Sequence, residues 1–164
     1  MSEEARRPAP PRHATGRPPS PTPSPRDLAL VAAGGSIGAL ARVGLTETFA
    51  GPADGYPWVT FLENIVGAFA LAFVLTMLVE RFDADSRVRL FLCTGALGAF
   101  TTYSTFADEL LVRLLDGRLE LAVVYAAATL VAGLLAALAG LALARKWPSR
   151  PDGTVADETA GGRR

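Results

Sequence analysis

Five consecutive hydroxyl-bearing residues, Thr101 to Thr105 (Thr-Thr-Tyr-Ser-Thr), lie inside one of the most apolar parts of the chain. Small residues precede them, among them Gly95 and Gly98. Glycine weakens a helix, and Ser and Thr hydroxyls hydrogen-bond to backbone groups and bend helices. A helix interrupted between Gly98 and Thr102 would free carbonyl oxygens that suit a small hard cation such as Na⁺. The alternative is an unbroken helix whose hydroxyls bond to its own carbonyls.

Three side chains in the apolar segments, one of them from the hydroxyl run, are suited to an anion. Tyr103 and Phe106 are three residues apart, on one face of a helix. The positive edges of aromatic rings can face an anion that has lost its water. Asn64 offers an uncharged N–H₂ donor, which can solvate an anion without trapping it by full charge pairing. The alternatives are ring packing and an interhelical hydrogen bond.

Arg42 and Glu63 are the charged residues of the apolar segments that most need an explanation. Both are toward the outer ends of adjacent antiparallel helices, at comparable depth. Charges inside a membrane usually pair, so we predict an ion pair between them. A membrane carboxylate is also a candidate functional group, and Glu63 would alternatively serve a small proton-coupled cation or drug exporter.

The elements that must position these residues are long and apolar. A helix rises ~1.5 Å per residue, so about 20 apolar residues cross a ~30 Å hydrocarbon layer. Four stretches meet this length: Leu28 to Ala50, Trp58 to Val79, Val88 to Leu115 and Leu119 to Ala144. The sequence therefore predicts an all-α membrane protein with one domain, residues 28–144, of four transmembrane helices in the lipid bilayer.

The flanking residues, 1–27 and 145–164, are rich in Pro, Arg, Asp and Gly and are predicted to be disordered tails. The net charge is zero, which gives no basic character for nucleic acid. His13, the one histidine, lies in the first tail, and the sequence contains no phosphate loop or nucleophile–base pair. We therefore expect no enzyme activity.

The positive charges are distributed unevenly about the four spans. Thirteen of the sixteen Lys and Arg residues fall on the side that carries both termini and the loop at 80–89. Arg113 and Arg118 lie on the opposite side, and Arg42 is within a helix. The positive-inside rule predicts a multi-pass plasma-membrane protein with both termini in the cytoplasm.

Three motifs, with four spans around them, resemble those of the small bacterial fluoride channels called Fluc or CrcB. The motifs are GGSIGALAR (34–42), WVTFLENIVGAF (58–69) and GALGAFTTYSTF (95–106). The resemblance covers residues 28 to about 144. It implies an antiparallel dimer, of the dual-topology type, with two pores. These pores would pass fluoride down its electrochemical gradient and so reduce its toxicity in the cytoplasm.

The resemblance also implies roles for individual residues. The family's pore asparagine falls on Asn64, and its hydroxyl and aromatic segment falls on residues 101–106. The implied fluoride pore residues are Asn64, Thr102, Tyr103, Ser104, Thr105 and Phe106. A structural Na⁺ at the dimer centre, where the third helix breaks, would be held by the backbone carbonyls of Gly98 and Thr101. Arg42 matches a structural arginine.

Two positions depart from the family pattern: Tyr103 stands where Phe is usual, and Glu63 where an apolar residue is usual. An ionised Glu63 would repel fluoride unless Arg42 neutralises it or it faces away. An identical antiparallel pair also needs a nearly balanced charge bias, which this chain lacks. We therefore predict a heterodimer with a homologous membrane subunit of opposite bias. The rival functions are the exporter that uses Glu63 and a non-conducting partner subunit or scaffold.

Overall fold

The protein is represented by a computed structural model that describes residues 22–49, 51, 55–82 and 84–147. Most of the two predicted tails, residues 1–21 and 148–164, lies outside the described residues. The helices are α1 (Pro25–Phe49), α2 (Trp58–Thr76), α3 (Ser86–Arg89), α4 (Gly98–Phe100), α5 (Ser104–Leu115) and α6 (Leu119–Lys146), with π-helical stretches at Met77–Arg81 and Leu90–Leu97. No strand occurs in the described part of the chain.

Four segments are long and apolar enough to cross a membrane, which confirms the predicted fold class. They are Pro25–Phe49, Trp58–Glu80, Ser86–Leu115 and Leu119–Lys146. We refer to Ser86–Leu115, which contains α3, α4 and α5, as the third span. Many large apolar side chains on the outer faces are exposed, such as Leu40 and Leu134, as expected where lipid is the solvent.

Local signals set the helix ends. α1 begins slightly before the predicted Leu28, because Ser24 caps it: the Asp27 amide donates to Ser24 Oγ at 3.2 Å, and the Ser24 amide donates to Asp27 Oδ2 at 3.0 Å. α5 ends at Leu115, and Gly117, two residues farther on, has a φ of 73°, a left-handed conformation that favours glycine. The next amide, that of Arg118, donates to the Arg113 carbonyl at 2.8 Å and closes the turn.

Glycines let the spans pack backbone to backbone. α1 packs mainly against the first half of the third span, and α2 packs mainly against α6. A Cβ added at Gly34 would meet the Phe91 carbonyl, and one at Gly38 would meet the Ala96 carbonyl. On α6, a Cβ at Gly140 would meet the Phe69 carbonyl of α2. These contacts are the close approach that small residues permit between membrane helices.

The third span leaves helical geometry at residues 101–103, between α4 and α5. Thr101 has an extended backbone, with φ −76° and ψ 152°. The predicted interruption at Gly98 to Thr102 overlaps these residues only at its end, since Gly98–Phe100 is helical. The non-helical residues face α2, where Gly67 leaves room for the Thr101 side chain.

Candidate functional site

Asn64 holds the non-helical residues of the third span through both ends of its side-chain amide. Its Nδ2 donates to the Thr102 carbonyl at 3.0 Å, and its Oδ1 accepts from the Thr102 amide at 2.9 Å. In a continuous helix the Thr102 amide would donate to the Gly98 carbonyl instead. We call this pair of hydrogen bonds the Asn64 clamp. It satisfies backbone groups that hydrocarbon could not satisfy.

The hydroxyl groups of the run satisfy the surrounding backbone and each other. Thr101 Oγ1 donates to the Leu97 carbonyl at 3.3 Å. Thr102 Oγ1 accepts from the Thr105 amide at 3.2 Å, and so supports the first turn of α5, and it donates to Thr105 Oγ1 at 3.0 Å. Ser104 Oγ lies 3.3 Å from Thr102 Oγ1. The run therefore builds the turn that joins α4 to α5.

A groove of about 260 Å³ lies beside the Asn64 clamp. Its lining residues are Asn64, Thr101, Thr102, Tyr103, Phe106, Thr129 and Leu130. Four of the six predicted pore residues thus share one groove, whereas Ser104 and Thr105 are not among the residues that line it. Its lining residues combine amide and hydroxyl groups with aromatic rings and methyl groups.

The two aromatic residues of the motif lie in different surroundings. Tyr103 is 81% exposed, whereas Phe106 is 9% exposed and packs against Tyr125 with a ring-centroid distance of 5.1 Å. The centroids of Tyr103 and Phe106 are 6.2 Å apart, at an interplanar angle of 44°. Within one subunit, Phe106 belongs to the packed wall of the groove, and Tyr103 projects from it.

A second polar cluster, which the sequence did not predict, lies behind Phe106. Glu109 accepts a hydrogen bond from Thr60 at 2.8 Å and another from the Tyr125 hydroxyl at 2.7 Å, one on each carboxylate oxygen. Tyr125 is fully buried. Thr129, one turn farther along α6, donates to the Tyr125 carbonyl at 2.7 Å. This Glu109 cluster joins α2, α5 and α6 behind the groove.

Arg113 lies at the end of the same region that is next to the turn before α2. Its guanidinium donates to the carbonyls of Glu109 and Gly55, each at 2.7 Å, and its Cζ lies 5.8 Å from the centroid of the Tyr125 ring. The residue is buried. Arg113 therefore ties the turn before α2 to α5.

The structure does not join Arg42 and Glu63 in the ion pair that we expected. Arg42 Nε donates to the Ala99 carbonyl at 3.3 Å. Glu63 Oε1 accepts from Thr46 Oγ1 at 3.3 Å. Among the described residues no Arg42–Glu63 ion pair is present, because each side chain has a partner on a different element. Arg42 instead supports the end of α4, immediately before the Asn64 clamp.

Sequence signals for the Glu109 cluster exist in hindsight. Glu109 follows Phe106 by three residues, so the two share a helix face. Tyr125 and Thr129 are four apart in α6, a helix dominated by Ala, Leu and Val. A polar residue in such a helix needs a hydrogen-bonding partner. The spacing of Tyr125 and Thr129 therefore indicated that polar groups meet on this face of α6.

The chemistry available at this site is hydrogen bonding rather than catalysis. Within the described residues there is no group of three His, Cys, Asp or Glu side chains that could hold a metal ion. The groove instead offers an uncharged amide, hydroxyls and ring edges. These groups can replace the water of a small ion without forming a salt bridge.

Comparison with known proteins identifies the family of this chain. The profile described as "CrcB-like protein, Camphor Resistance (CrcB)" matches residues 29–141. A fluoride-specific ion channel of Agrobacterium fabrum is 42% identical over 122 residues, which cover 73% of this chain and 96% of the relative. One from Mycolicibacterium paratuberculosis is 42% identical over 121 residues, covering 74% and 92%. One from Thermosipho melanesiensis is 43% identical over 118 residues, covering 71% and 94%.

The matched region contains all four spans except the first residues of α1 and the last residues of α6, and it includes the Asn64 clamp and the groove beside it. The resemblance seen in the three sequence motifs is thereby confirmed. This chain belongs to the CrcB family.

Proposed function

We propose that this chain is a subunit of a fluoride channel, through which fluoride crosses the membrane passively beside Asn64. The relatives, which match this chain over nearly their whole length, are named fluoride-specific ion channels. The observation that carries the proposal is the groove in which an uncharged amide, hydroxyls and aromatic carbons meet at the non-helical part of the third span. Membership of the CrcB family favours a channel over the exporter that Glu63 suggested.

The pore residues we propose are the six that the family resemblance implies: Asn64, Thr102, Tyr103, Ser104, Thr105 and Phe106. In one subunit the groove is open on one side, where Tyr103 projects. A second subunit would supply the opposite wall and narrow the groove to the width of a small ion. Fluoride would then exchange water for amide and hydroxyl donors, with ring edges around it.

The test is fluoride efflux from liposomes that contain this chain together with its homologous partner. We expect Phe106→Ile to reduce the efflux rate by about tenfold or more, because isoleucine fills the buried space without an aromatic edge. A fluoride electrode outside the liposomes measures the rate.

Phe82→Ile is the matched control, since Phe82 is exposed beyond the end of α2. Its efflux should equal that of the unmodified pair. If liposomes with the unmodified pair release fluoride no faster than empty liposomes, the proposed function is wrong. If Phe106→Ile conducts normally, the assignment of Phe106 to the pore is wrong.

We further propose that a structural Na⁺ lies at the dimer centre, held by the carbonyls of Gly98 and Thr101. The residues present fit such an ion. The Asn64 clamp takes the Thr102 amide that would otherwise bond to the Gly98 carbonyl, and the extended backbone of Thr101 redirects its own carbonyl. Carbonyl oxygens are suitable ligands for a hard monovalent cation. The ion would link the two subunits where their third spans cross.

The assembly we propose is an antiparallel heterodimer with both termini of this chain in the cytoplasm. Its support is the charge asymmetry, thirteen Lys and Arg against two. A strong bias fixes one orientation, so an antiparallel partner must carry the opposite bias. The partner is then a homologous subunit rather than a second copy.

Orientation can be measured with a reporter fused to the C-terminus of this chain expressed alone. We expect the reporter to be cytoplasmic in nearly all molecules, because the thirteen Lys and Arg residues keep both termini on the cytoplasmic side. Neutralising Arg87 and Arg89 serves as a control that should raise the inverted fraction only slightly, since the tail charges remain. Substantial populations in both orientations, or fluoride efflux by the lone purified chain, would count against a heterodimer.

A further inference from the structure

A cavity of about 410 Å³ lies between α1 and α2, apart from the groove beside Asn64. Its lining residues are Leu45, Phe49, Trp58, Val59, Leu62, Glu63, Val66 and Phe100. Of these described residues, Glu63 alone carries a charge, and three are aromatic. Phe49 and Trp58 are 65% and 60% exposed, so the cavity is open to a ligand from outside.

Glu63 lacks one of the partners that a buried carboxylate requires. The residue is 3% exposed. Oε1 accepts from Thr46, but Oε2 is buried and has no hydrogen-bond partner. Leaving such an oxygen unsatisfied costs about 1–3 kcal/mol, and more when the group is charged. The nearby cation, Arg42, donates to Ala99 rather than to this carboxylate.

We propose that this cavity binds lipophilic monovalent ammonium ions, with the ammonium group beside the Glu63 carboxylate and the apolar part against the aromatic lining. The terminal torsion of a glutamate side chain is soft, so the carboxylate can turn an oxygen toward the cavity. The ligand would place a positive charge beside Glu63 Oε2, which has no hydrogen-bond partner in this chain. The cavity and the groove beside Asn64 have no lining residue in common.

The shape and chemistry of the cavity select this class of ligand. Its volume is within the range of small-molecule sites, about 300–1,000 Å³, and is far larger than a bare metal ion needs. A hard divalent cation takes six or more oxygen ligands, and this cavity presents one carboxylate among apolar carbons. Aromatic faces attract organic cations in addition to burying their apolar surface, and here Phe49, Trp58 and Phe100 provide three.

The experiment is a fluorescence titration with benzyltrimethylammonium, monitored at Trp58. The chain has two tryptophans, so the change Trp147→Phe, made beyond the end of α6, leaves Trp58 as the sole tryptophan of this chain. The protein is purified as it assembles, with its partner subunit if one is required. We expect saturable quenching that weakens at least tenfold in Glu63→Gln, which keeps the size of the side chain and removes its charge.

Two controls isolate the charge at Glu63. Glu120→Gln removes an exposed carboxylate in the first turn of α6 and should leave the affinity unchanged. Neopentylbenzene, the neutral carbon analogue of the probe, should bind at least tenfold more weakly than the cation. If Glu63→Gln binds the cation as tightly as the unmodified protein, or the neutral analogue binds equally well, the proposal is wrong.

A second variant tests the location independently of the charge and remains available if Glu63→Gln fails to fold. Val66→Phe places a larger side chain in the cavity while Glu63 is retained. We expect it to abolish saturable quenching. Unchanged quenching would show that the cation binds elsewhere and would overturn the proposal, as would the absence of saturable quenching in the assembled protein.

Discussion

Replacing Asn64 with alanine is expected to lower fluoride efflux by roughly thirtyfold. The change removes both hydrogen bonds of the Asn64 clamp, at 2.9 and 3.0 Å, and leaves the amide and carbonyl of Thr102 without these partners. A buried backbone group left unsatisfied costs about 1–3 kcal/mol. A loss of about 2 kcal/mol that falls on the permeation barrier corresponds to roughly thirtyfold in rate. Efflux from liposomes containing the assembled protein measures it.

Ser36→Ala is the matched control for Asn64→Ala. The Ser36 hydroxyl is exposed on α1 and donates to its own helix, at the Ala32 carbonyl 2.9 Å away. Its loss should leave efflux unchanged. An Asn64→Ala protein that elutes as the same assembly and conducts within twofold of the unmodified protein would show that the clamp does not control permeation.

Replacing Gly38 with alanine is expected to destabilise the fold by at least ~2 kcal/mol, although it adds one methyl group. That methyl would meet the Ala96 carbonyl of the third span, so the helices must separate. Overpacking against backbone costs about 1–3 kcal/mol, because the backbone cannot move aside as a side chain can. The thermal midpoint in detergent, followed by monodispersity on a sizing column, measures the loss.

Gly44→Ala, on the same helix, is the matched control. A Cβ at Gly44 meets nothing within 4 Å, and alanine favours helix over glycine by about 1 kcal/mol. This variant should therefore be as stable as the unmodified protein or slightly more so. Equal midpoints for Gly38→Ala and Gly44→Ala would show that α1 and the third span do not pack as closely as described.

Hydrophobic length was sufficient to predict the four spans, because the bilayer fixes how much apolar helix is needed. The hydroxyl run also indicated where the third span is irregular. The exact residues differed. Gly98 weakens a helix by only about 1 kcal/mol and remains in α4. The hydrogen bond from the Thr102 amide to Asn64 determines where the backbone hydrogen bonds of the helix are interrupted. That bond joins residues 38 apart in the sequence, which no local propensity contains.

The predicted ion pair between Arg42 and Glu63 required the direction of each side chain around its helix as well as its depth along the span. Arg42 and Glu63 were expected to pair from their similar depth, yet Arg42 bonds to Ala99 and Glu63 to Thr46. Depth follows from counting residues along a span. The direction of a side chain around the helix depends on which neighbour packs there, and a single sequence does not specify this.

The clamp on the third span consists of an amide side chain and a peptide group, and neither gains or loses a proton in the range of acidity that cells experience. Its two bonds therefore stay the same when the medium turns acidic or when salt is added. A pore bordered by these two hydrogen bonds would keep its dimensions in an acidic medium. Any response to acidity would have to originate in carboxylates elsewhere in the assembly.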